Sequence, residues 1–403
     1  MIDAVIGLLD KVRKLATEFV PHVDTAGALK WVGIILAVLV LVYVVLLLIS
    51  GNRLQGAYAA LEDAGRPMRL EDIVPPEMPD FDNAALLYQS AALRLRSVRV
   101  ETETEPTTLS SRLGVLLKQD ERSPDQQAEM RQLLNLPEVG DALELLEEAG
   151  ARPGCRYDLD YTLGFDLRLE HLQEMRRCAR LLRARAQHLA AAGDAASAWQ
   201  DVITGLRMAE ALSEEPVLIS QLVRVAITAE LLDLTGHVSA AGLPGPEQAR
   251  TLDAILDRLA AASFVASVDG ERMLGGDWAF ALPSAELLNL MSDANVDPSL
   301  ADRLVGLLWI KPILQADKAV YLQTMKAHTD MLAGTVSEDD RHAARALEED
   351  FPWYAVVTRM ITPALSSIRT RQLEGLARIR LTRAGLAIVR YQEENGALPA
   401  RGD

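Results

Sequence analysis

The chain has 403 residues, of which 49% are hydrophobic and 5% aromatic, and its formal net charge is −16. So acidic a protein repels phosphate backbones, which excludes nucleic acid as an expected partner. Few aromatic residues and abundant Ala, Leu and Arg are typical of packed helices, so the composition predicts an all-α fold.

The stretch WVGIILAVLVLVYVVLLLIS, residues 31–50, contains no charged residue and no proline. A helix of this length, at about 1.5 Å per residue, spans roughly 30 Å, the hydrocarbon thickness of a bilayer. Trp31, Lys30 and Arg53 mark its two ends as interfacial residues do. The stretch is too long, and too far from the first residue, for a cleaved signal peptide. We therefore expect one N-terminal transmembrane helix that acts as an uncleaved signal anchor.

In residues 1–20, apolar side chains recur at helical spacing and charged side chains fall on the other side. This pattern predicts a cytoplasmic amphipathic helix that ends at Pro21. This helix is expected either in the membrane interface or against a partner subunit. Four basic residues precede the anchor and three follow it: Lys11, Arg13, Lys14 and Lys30, then Arg53, Arg66 and Arg69. The bias favours a cytoplasmic N-terminus and an extracytoplasmic C-terminal domain.

Residues 52–158 are expected to form a linker and the first helices of the domain. The membrane helix should continue to about residue 65. The proline-rich segment GRPMRLEDIVPPEMPDFDN then predicts a linker or a strap across the domain surface, and NAALLYQSAALRLRSV predicts a helix. The polar residues 100–126 predict an exposed loop, in which Glu101, Glu103 and Glu105 are solvated rather than metal ligands.

Residues 159–403 predict a large helical domain. An apolar stripe from Leu169 to Leu189 ends at Gly193, and Asp194 can cap the next helix. A third helix follows Pro216, and such short loops indicate antiparallel neighbours. The remaining ranges are expected to be helical at 246–262, 300–332 and 353–395, and less regular at 263–298.

The segment LLRARAQHLAAAGDAASAWQDVITGLRMAEAL, residues 181–212, resembles one tetratricopeptide (TPR) unit. Small residues that let two helices cross closely are expected at Ala186, Ala198 and Gly205. Arg185 departs from the repeat pattern because it occupies an apolar position. The sequence contains one convincing copy, whereas solenoids need about three. The prediction is therefore a helical hairpin with TPR-like packing.

Candidate chemical residues are few. His171, Glu174 and Cys178 share a helix face and are zinc-ligand types, but a fourth ligand is lacking, so a face at the edge of the core is favoured over a metal site. The sequence has no GxSxG, Walker, dinucleotide, HExxH or CxxCH motif. We therefore expect no enzyme activity and no catalytic, cofactor-binding or metal-binding residue. The alternative is an enzyme whose site is assembled from scattered residues around His171.

Cys155 and Cys178 either form a disulfide or are an unrelated loop thiol and a buried helix thiol. A cluster of acids fits the start of a helix better than a catalytic pair: Asp158, Asp160 and Asp166.

Between residues 364 and 390 the last helix carries six arginines against one acid, Glu374: Arg369, Arg371, Arg378, Arg380, Arg383 and Arg390. We expect them to face acidic helices such as SEDDRHAARALEED, with a partner or a lipid headgroup as the alternative.

Several segments occur here in an order that resembles uncharacterised, single-pass, mostly helical bacterial membrane proteins: DFDNAALLYQSAA, the hairpin, IKPILQADKAVYLQTM and RLTRAGLAIVRYQEENGALP. The resemblance covers most of residues 52–400 and implies a bacterial inner-membrane protein with a periplasmic domain, but no activity. The ending with Tyr391, Gly396 and Pro399 resembles the helix exit of type II secretion pseudopilins.

The expected function is a membrane-anchored structural or protein-interaction subunit of a bacterial envelope complex. The alternative, an accessory protein of secretion or pilus assembly, depends on the C-terminal resemblance. Expected partners are the lipid bilayer and other membrane or envelope proteins, and a homo-oligomer remains an option. Gly33 and Ala37 form a small-xxx-small pair through which another transmembrane helix could approach.

Overall fold

The computed structural model describes residues 25–101, 105–118, 123–281, 300–334, 351–362 and 368–396, and at 25–29 and 300–310 it describes the backbone alone. The protein is 78% helical with almost no strand, which confirms the predicted all-α fold with one long N-terminal apolar helix. The amphipathic helix predicted at residues 1–20 lies outside the described residues.

The α-helices of the described ranges, numbered in chain order, are α1 Thr25–Asp63, α2 Ala85–Ser97, α3 Leu109–Leu117, α4 Pro124–Leu134, α5 Pro137–Ala151, α6 Glu170–Ala191, α7 Ala195–Glu210, α8 Leu218–Leu232, α9 Thr235–Ala241, α10 Pro246–Ala261, α11 Val265–Glu271, α12 Trp278–Ala281, α13 Leu300–Ala333, α14 Val356–Ile361 and α15 Ile368–Asn395. Short 3₁₀ turns lie at Leu70–Asp72 and Tyr161–Asp166, and a π-helical turn at Arg272–Asp277 joins α11 to α12. Two short antiparallel strands, β1 Arg99–Val100 and β2 Thr107–Thr108, precede α3.

Helix α1 contains the apolar stretch and runs on beyond it without a break. Its part from Lys30 to Asp63 is long and apolar enough to cross a membrane, with a mean hydropathy of 3.4 in the most apolar window. Most of the large apolar side chains there are exposed, such as Leu41 at 63%. Past the stretch, Ala57 and Leu61 are buried in the domain. The anchor and the domain therefore share one helix, as the predicted continuation to about residue 65 requires.

The larger core is built by α2 to α10, and Ile379 of α15 also belongs to it. Helices α6 and α7 form the predicted hairpin: Gly193 adopts φ +84° in the turn, and Asp194 Oδ1 accepts a hydrogen bond from the Ser197 N–H at 3.1 Å. Ala186 and Ala198 are fully buried. A Cβ atom added to Gly205 would lie 2.5 Å from Leu231 Cδ1, so α7 approaches α8 closely at this glycine.

The prediction of an exposed loop at residues 100–126 is wrong for the middle of that range, which forms helix α3. Helix α3 begins after Thr108, whose Oγ1 accepts a hydrogen bond from the Ser111 N–H at 3.2 Å. Leu109, Leu113 and Leu116 repeat at helical spacing and are each 1% exposed, because they pack in the same core as α6. Polar flanking residues hid this short amphipathic helix in the sequence. Of the three glutamates, Glu103 lies outside the described ranges.

The proline-rich segment after α1 is a strap that is tied to the domain. Arg156 Nε donates a hydrogen bond to the Pro75 carbonyl at 3.0 Å, and the Asn83 side chain donates to the Arg156 carbonyl at 2.8 Å. Arg272 Nη2 donates to the Pro67 carbonyl. Of the two alternatives for this segment, the strap across the surface is the one that forms.

A second core joins the end of α1 to α8, α11, α13 and α15. Its buried members are Ala57, Leu61, Leu218, Phe264, Val268, Ala319, Tyr321, Leu322, Met325 and Ile368. Asp317 on α13 holds α14, because its carboxylate accepts hydrogen bonds from the Val357 N–H at 2.8 Å and from Thr358 Oγ1 at 2.6 Å. The region predicted as less regular is helical up to Ala281, and its remainder lies beyond the described residues.

Candidate functional site

A network of charged residues lies where α1 leaves the apolar stretch and joins the domain. We call it the junction network. Its cations and carboxylates come from the turn just after α1, from α11, from the π-helical turn and from α13: Arg66, Arg272, Lys318 and Lys326, with Asp269, Asp277 and Asp330. Apolar packing of the second core brings these distant segments together.

The contacts of the junction network cross between elements. Arg66 Nη2 lies 3.1 Å from Asp330 Oδ1, and Arg66 Nη1 lies 3.8 Å from Asp269 Oδ2. Arg272 is 3.7 Å from Asp269 and 3.9 Å from Asp277. Lys318 Nζ completes the chain of contacts at 2.8 Å from Asp277. The residue after α1 is therefore linked by charge to both α11 and α13.

Much of the junction network is removed from solvent. The side chains of Arg272 and Asp269 are 1% and 4% exposed. The Arg272 Nε and Nη1 atoms and Asp269 Oδ1 have no hydrogen-bond partner within the described part of the chain, so these pairs attract at distances longer than a hydrogen bond. Removing one partner from such a pair leaves an uncompensated buried charge, which is more costly than the pair is stabilising.

Burial changes the protonation equilibria in the junction network. Burial raises the pKa of Asp269, and the nearby Arg272 and Arg66 oppose that rise. Burial alone would lower the pKa of Lys318, but the hydrogen bond and charge of Asp277 outweigh it and the pKa is raised. Lys318 therefore stays charged, and its ammonium also lies 5.5 Å from the centre of the Tyr58 ring on α1.

The π-helical turn allows the close approach that the junction network needs. A Cβ atom on Gly276 would lie 1.9 Å from the Tyr321 ring, so only glycine lets α13 pack here. Tyr321 is 1% exposed. π-Helical turns are rare and occur often at functional sites. Here the turn fixes the relative positions of Arg272 and Asp277, and the network holds helices together rather than presenting a nucleophile.

A second buried polar group surrounds His171. His171 Nε2 is 3.0 Å from Glu215 Oε2, and the ring stacks on Tyr157 with centroids 4.0 Å apart. Ser220 Oγ donates its hydrogen bond to the same carboxylate, not to the histidine. In a catalytic triad the histidine accepts the proton of the serine hydroxyl. This order of contacts therefore differs from that of a Ser-His-acid triad.

The structure separates the three zinc-ligand candidates. His171 contacts Glu215, Glu174 lies 3.6 Å from Arg96, and Cys178 is buried in the larger core. A groove of about 860 Å³ lies nearby, and its lining, which includes Cys155 and Arg258, does not contain His171. In the described part of the chain, no group of three His, Cys, Asp or Glu side chains is close enough to hold a metal ion.

Cys155 and Cys178 are free thiols, so the disulfide alternative is not the one formed. Burial raises the pKa of each thiol to about 12, which keeps both protonated and weakly nucleophilic. Of the acid cluster, Asp160 caps the 3₁₀ turn, since its Oδ1 accepts a hydrogen bond from the Thr162 N–H at 3.1 Å.

The arginines of α15 pair mainly with α8 and α10. Arg378 Nη1 lies 2.6 Å from Asp233, and Arg383 contacts Asp253 at 2.8 Å and also Asp257. The acidic segment that we expected opposite them lies outside the described residues. These ion pairs place one face of α15 on the domain and leave its other face exposed.

The junction network could not be read from the sequence, because its members are single charges in separate helices. The one available signal is a charged residue inside an apolar helical pattern, such as Asp269 in SFVASVDGE or Lys318 in IKPILQADKAVYL. Comparison of the chain with protein-family models, with curated proteins and with solved structures found no match.

Proposed function

We propose that the protein is a membrane-anchored interaction subunit of a bacterial envelope complex, with its helical domain in the periplasm. Two features support this proposal. The apolar helix continues into the domain core, so the domain is held rigidly rather than tethered. Buried or half-buried charges of the described residues lie next to opposite charges, as Arg66 does next to Asp269 and Arg185 next to Asp201, which suits a structural protein.

The observation that carries the proposal is the exposed face of α15. Apolar residues recur there at spacings of four and three: Ala377, Leu381, Ala384, Ile388 and Tyr391. Leu381 is 73% exposed and Ile388 is 43% exposed. Single exposed leucines are ordinary, but an apolar heptad face on one helix is the surface that a second helix covers.

The charges beside this face indicate the chemistry of the partner. Arg380 and Arg390 are exposed on α15 and form no ion pair within the described ranges. An amphipathic helix of another envelope protein, with acidic residues flanking its apolar stripe, would match both the face and the arginines. We take such a helix as the occupant.

Purification of the full chain in mild detergent tests the proposal. Leu381→Glu should remove the co-purifying partner. Leu93→Glu is the matched control, since Leu93 is 60% exposed on α2 but shares its face with one exposed apolar residue, Leu86, rather than with a stripe of five. Retention of the partner by Leu381→Glu would contradict the proposal. A partner that proves to be a second copy of the chain would replace the heterologous partner with self-association.

Orientation needs a separate measurement. A reporter that is active only outside the cytoplasm, fused after residue 120, should be active. Activity of only a cytoplasmic reporter at this position would reverse the proposed topology.

A further inference from the structure

We propose that a pocket between α2, α3 and α6 binds a phosphate group as a dianion. The pocket has a volume of about 140 Å³, and three arginines and two hydroxyl residues line it above an apolar floor: Arg96, Arg99, Arg177, Thr108 and Ser110. We call it the arginine pocket. One water takes up roughly 30 Å³ in the liquid, so a tetrahedral anion fits this volume. The inference concerns the domain alone and depends neither on the membrane topology nor on a partner of α15.

Packing of the larger core brings the three arginines together. Arg96 lies in the last turn of α2, Arg99 in β1 and Arg177 in the middle of α6. Four leucines that line the same pocket are at most 6% exposed and belong to the larger core: Leu95, Leu109, Leu113 and Leu181. These leucines hold α2, α3 and α6 against one another, so the guanidinium groups above them line one opening.

The acidic residues that are abundant elsewhere in the chain are scarce around the arginine pocket. Arg96 Nη1 lies 3.6 Å from Glu174 Oε1, a distance longer than a hydrogen bond. Arg99 Nη1 donates to the Arg96 carbonyl at 3.2 Å. Within the described ranges neither Arg99 nor Arg177 forms an ion pair, although Arg177 is half-buried. Three cations thus share one loosely placed carboxylate, in a chain whose net charge is −16.

A fourth arginine orients the Ser110 hydroxyl for the ligand. Arg180 Nη1 donates to Ser110 Oγ at 2.7 Å. The stem of Arg180 lies against α3, where a Cβ atom added to Gly114 would lie 3.5 Å from Arg180 Cδ. Because the Ser110 oxygen accepts from Arg180, its own proton can be donated to an anion in the pocket. Thr108 and Ser110 flank the beginning of α3, whose helix dipole adds to the positive potential.

The lining favours a dianion over a monoanion. A phosphate group carries a charge of about −1.5 to −2 at pH 7 and has three strong acceptor oxygens. A guanidinium presents paired N–H donors in one plane, which match the oxygens of phosphate two at a time. A carboxylate has one charge and two oxygens, so it would leave the repulsion among three guanidinium groups largely uncompensated. Phosphate therefore satisfies the arginine pocket better than a carboxylate does.

Titration calorimetry on the full chain, in mild detergent and low salt, tests the arginine pocket with inorganic phosphate. Phosphate should bind saturably at one site. Arg177→Gln should weaken this binding about tenfold or more, the loss expected for one charge-assisted hydrogen bond. Arg176→Gln is the matched control, because Arg176 is the preceding residue of α6, is exposed and does not line the pocket. Absence of saturable phosphate binding, or an equal loss in both variants, would overturn the site.

Two further probes identify the anion. Acetate, a monoanion, should bind much more weakly than phosphate, and acetate binding of equal strength would overturn the preference for a dianion. Glycerol 3-phosphate that displaces inorganic phosphate would support a phosphate monoester as the ligand. Phosphate binding without such displacement would support the free anion.

Thermal unfolding separates ligand binding from a structural role. In phosphate-free buffer, Arg177→Gln and Arg99→Gln should not lower the Tm, because each removes one of three mutually repelling charges. Added phosphate should raise the Tm of the wild-type chain and raise that of either variant less, since a ligand stabilises the folded state that binds it. A Tm that both variants lower without phosphate, and that phosphate leaves unchanged in the wild-type chain, would assign the arginines a structural role and overturn the proposal.

Discussion

Arg185 and Asp201 form a two-point ion pair across the α6–α7 hairpin. Arg185 Nε donates to Asp201 Oδ2 at 2.8 Å, and Arg185 Nη2 lies 2.6 Å from Asp201 Oδ1. The Asp201 side chain is only 2% exposed. Burial raises its pKa to about 6, although Arg185 opposes the rise. The arginine that departs from the tetratricopeptide pattern therefore compensates a buried acid one helix away.

Arg185→Leu should destabilise the protein in a pH-dependent way. Asp201 has a folded-state pKa of about 6 against an ordinary 3.8, so between these values the folded state binds more protons and the carboxyl's contribution to stability falls as pH rises. Without Arg185 the buried carboxylate is unpaired, which costs about 3–5 kcal/mol near pH 8 and less near pH 5. Denaturant unfolding at both pH values measures this. Adding Asp201→Asn should abolish the difference, and equal losses in the single variant would contradict the buried ion pair.

Gly205→Ala should destabilise the larger core, because the new methyl group would lie 2.5 Å from Leu231 Cδ1. Overpacking of this kind costs roughly 1–3 kcal/mol, and Ala198→Leu at the same crossing should cost a similar amount. Gly140→Ala is the control: its methyl group meets nothing within 4 Å on an exposed helix position. There the gain in helix propensity is about 0.5–1 kcal/mol. Changes in the free energy of unfolding that have the same sign in both glycine variants would argue against close packing at Gly205.

Gly276→Ala should separate α13 from the π-helical turn. Its methyl group would lie 1.9 Å from the buried Tyr321 ring, so the ring or the helix must move. A disulfide engineered between Ser50→Cys and Gln315→Cys reports whether α13 keeps its place beside α1. The two native side chains are hydrogen-bonded at 2.9 Å. Its rate of formation should fall several-fold with Gly276→Ala. It should not change with Gly236→Ala, where an added methyl group meets nothing within 4 Å. An unchanged rate in both variants would mean that the π-helical turn does not set the position of α13 beside α1.

Features that depend on local sequence were predictable. The apolar stretch needs no context, because hydropathy over about twenty residues is sufficient. The sequence Gly193-Asp194 predicts the hairpin turn, because glycine adopts the positive φ of the turn and aspartate caps the next helix. The junction network was not predictable, because Arg66 and Asp330 are 264 residues apart and nothing local pairs them. Helix α3 was missed because only three leucines cover its buried face, too few for a clear periodicity among polar neighbours.

The last prediction concerns the side of the anchor that carries Gly33 and Ala37. Ile35, Leu39, Val42 and Leu46 are partly covered and lie on one face of α1. Gly33 and Ala37 lie two residues from Ile35, and two helical residues turn about 200°, so the small pair lies on the opposite face. Both positions are exposed, and a Cβ atom on Gly33 meets nothing within 4 Å. The chain's own fold therefore makes no use of this surface in the described residues, while small residues at such spacing let another transmembrane helix approach.

Gly33→Leu should reduce the size of the assembly without affecting membrane insertion or folding of the domain. The bulky side chain fills the notch for a neighbouring helix but contacts nothing in its own chain. Gly56→Leu is the matched control, because Gly56 is equally open but lies beyond the apolar stretch. Light scattering after gel filtration in detergent gives the mass of each assembly. Loss of mass with Gly33→Leu alone would place a partner helix on this side of the anchor. An unchanged mass would eliminate the intramembrane contact and leave the exposed face of α15 as the binding surface.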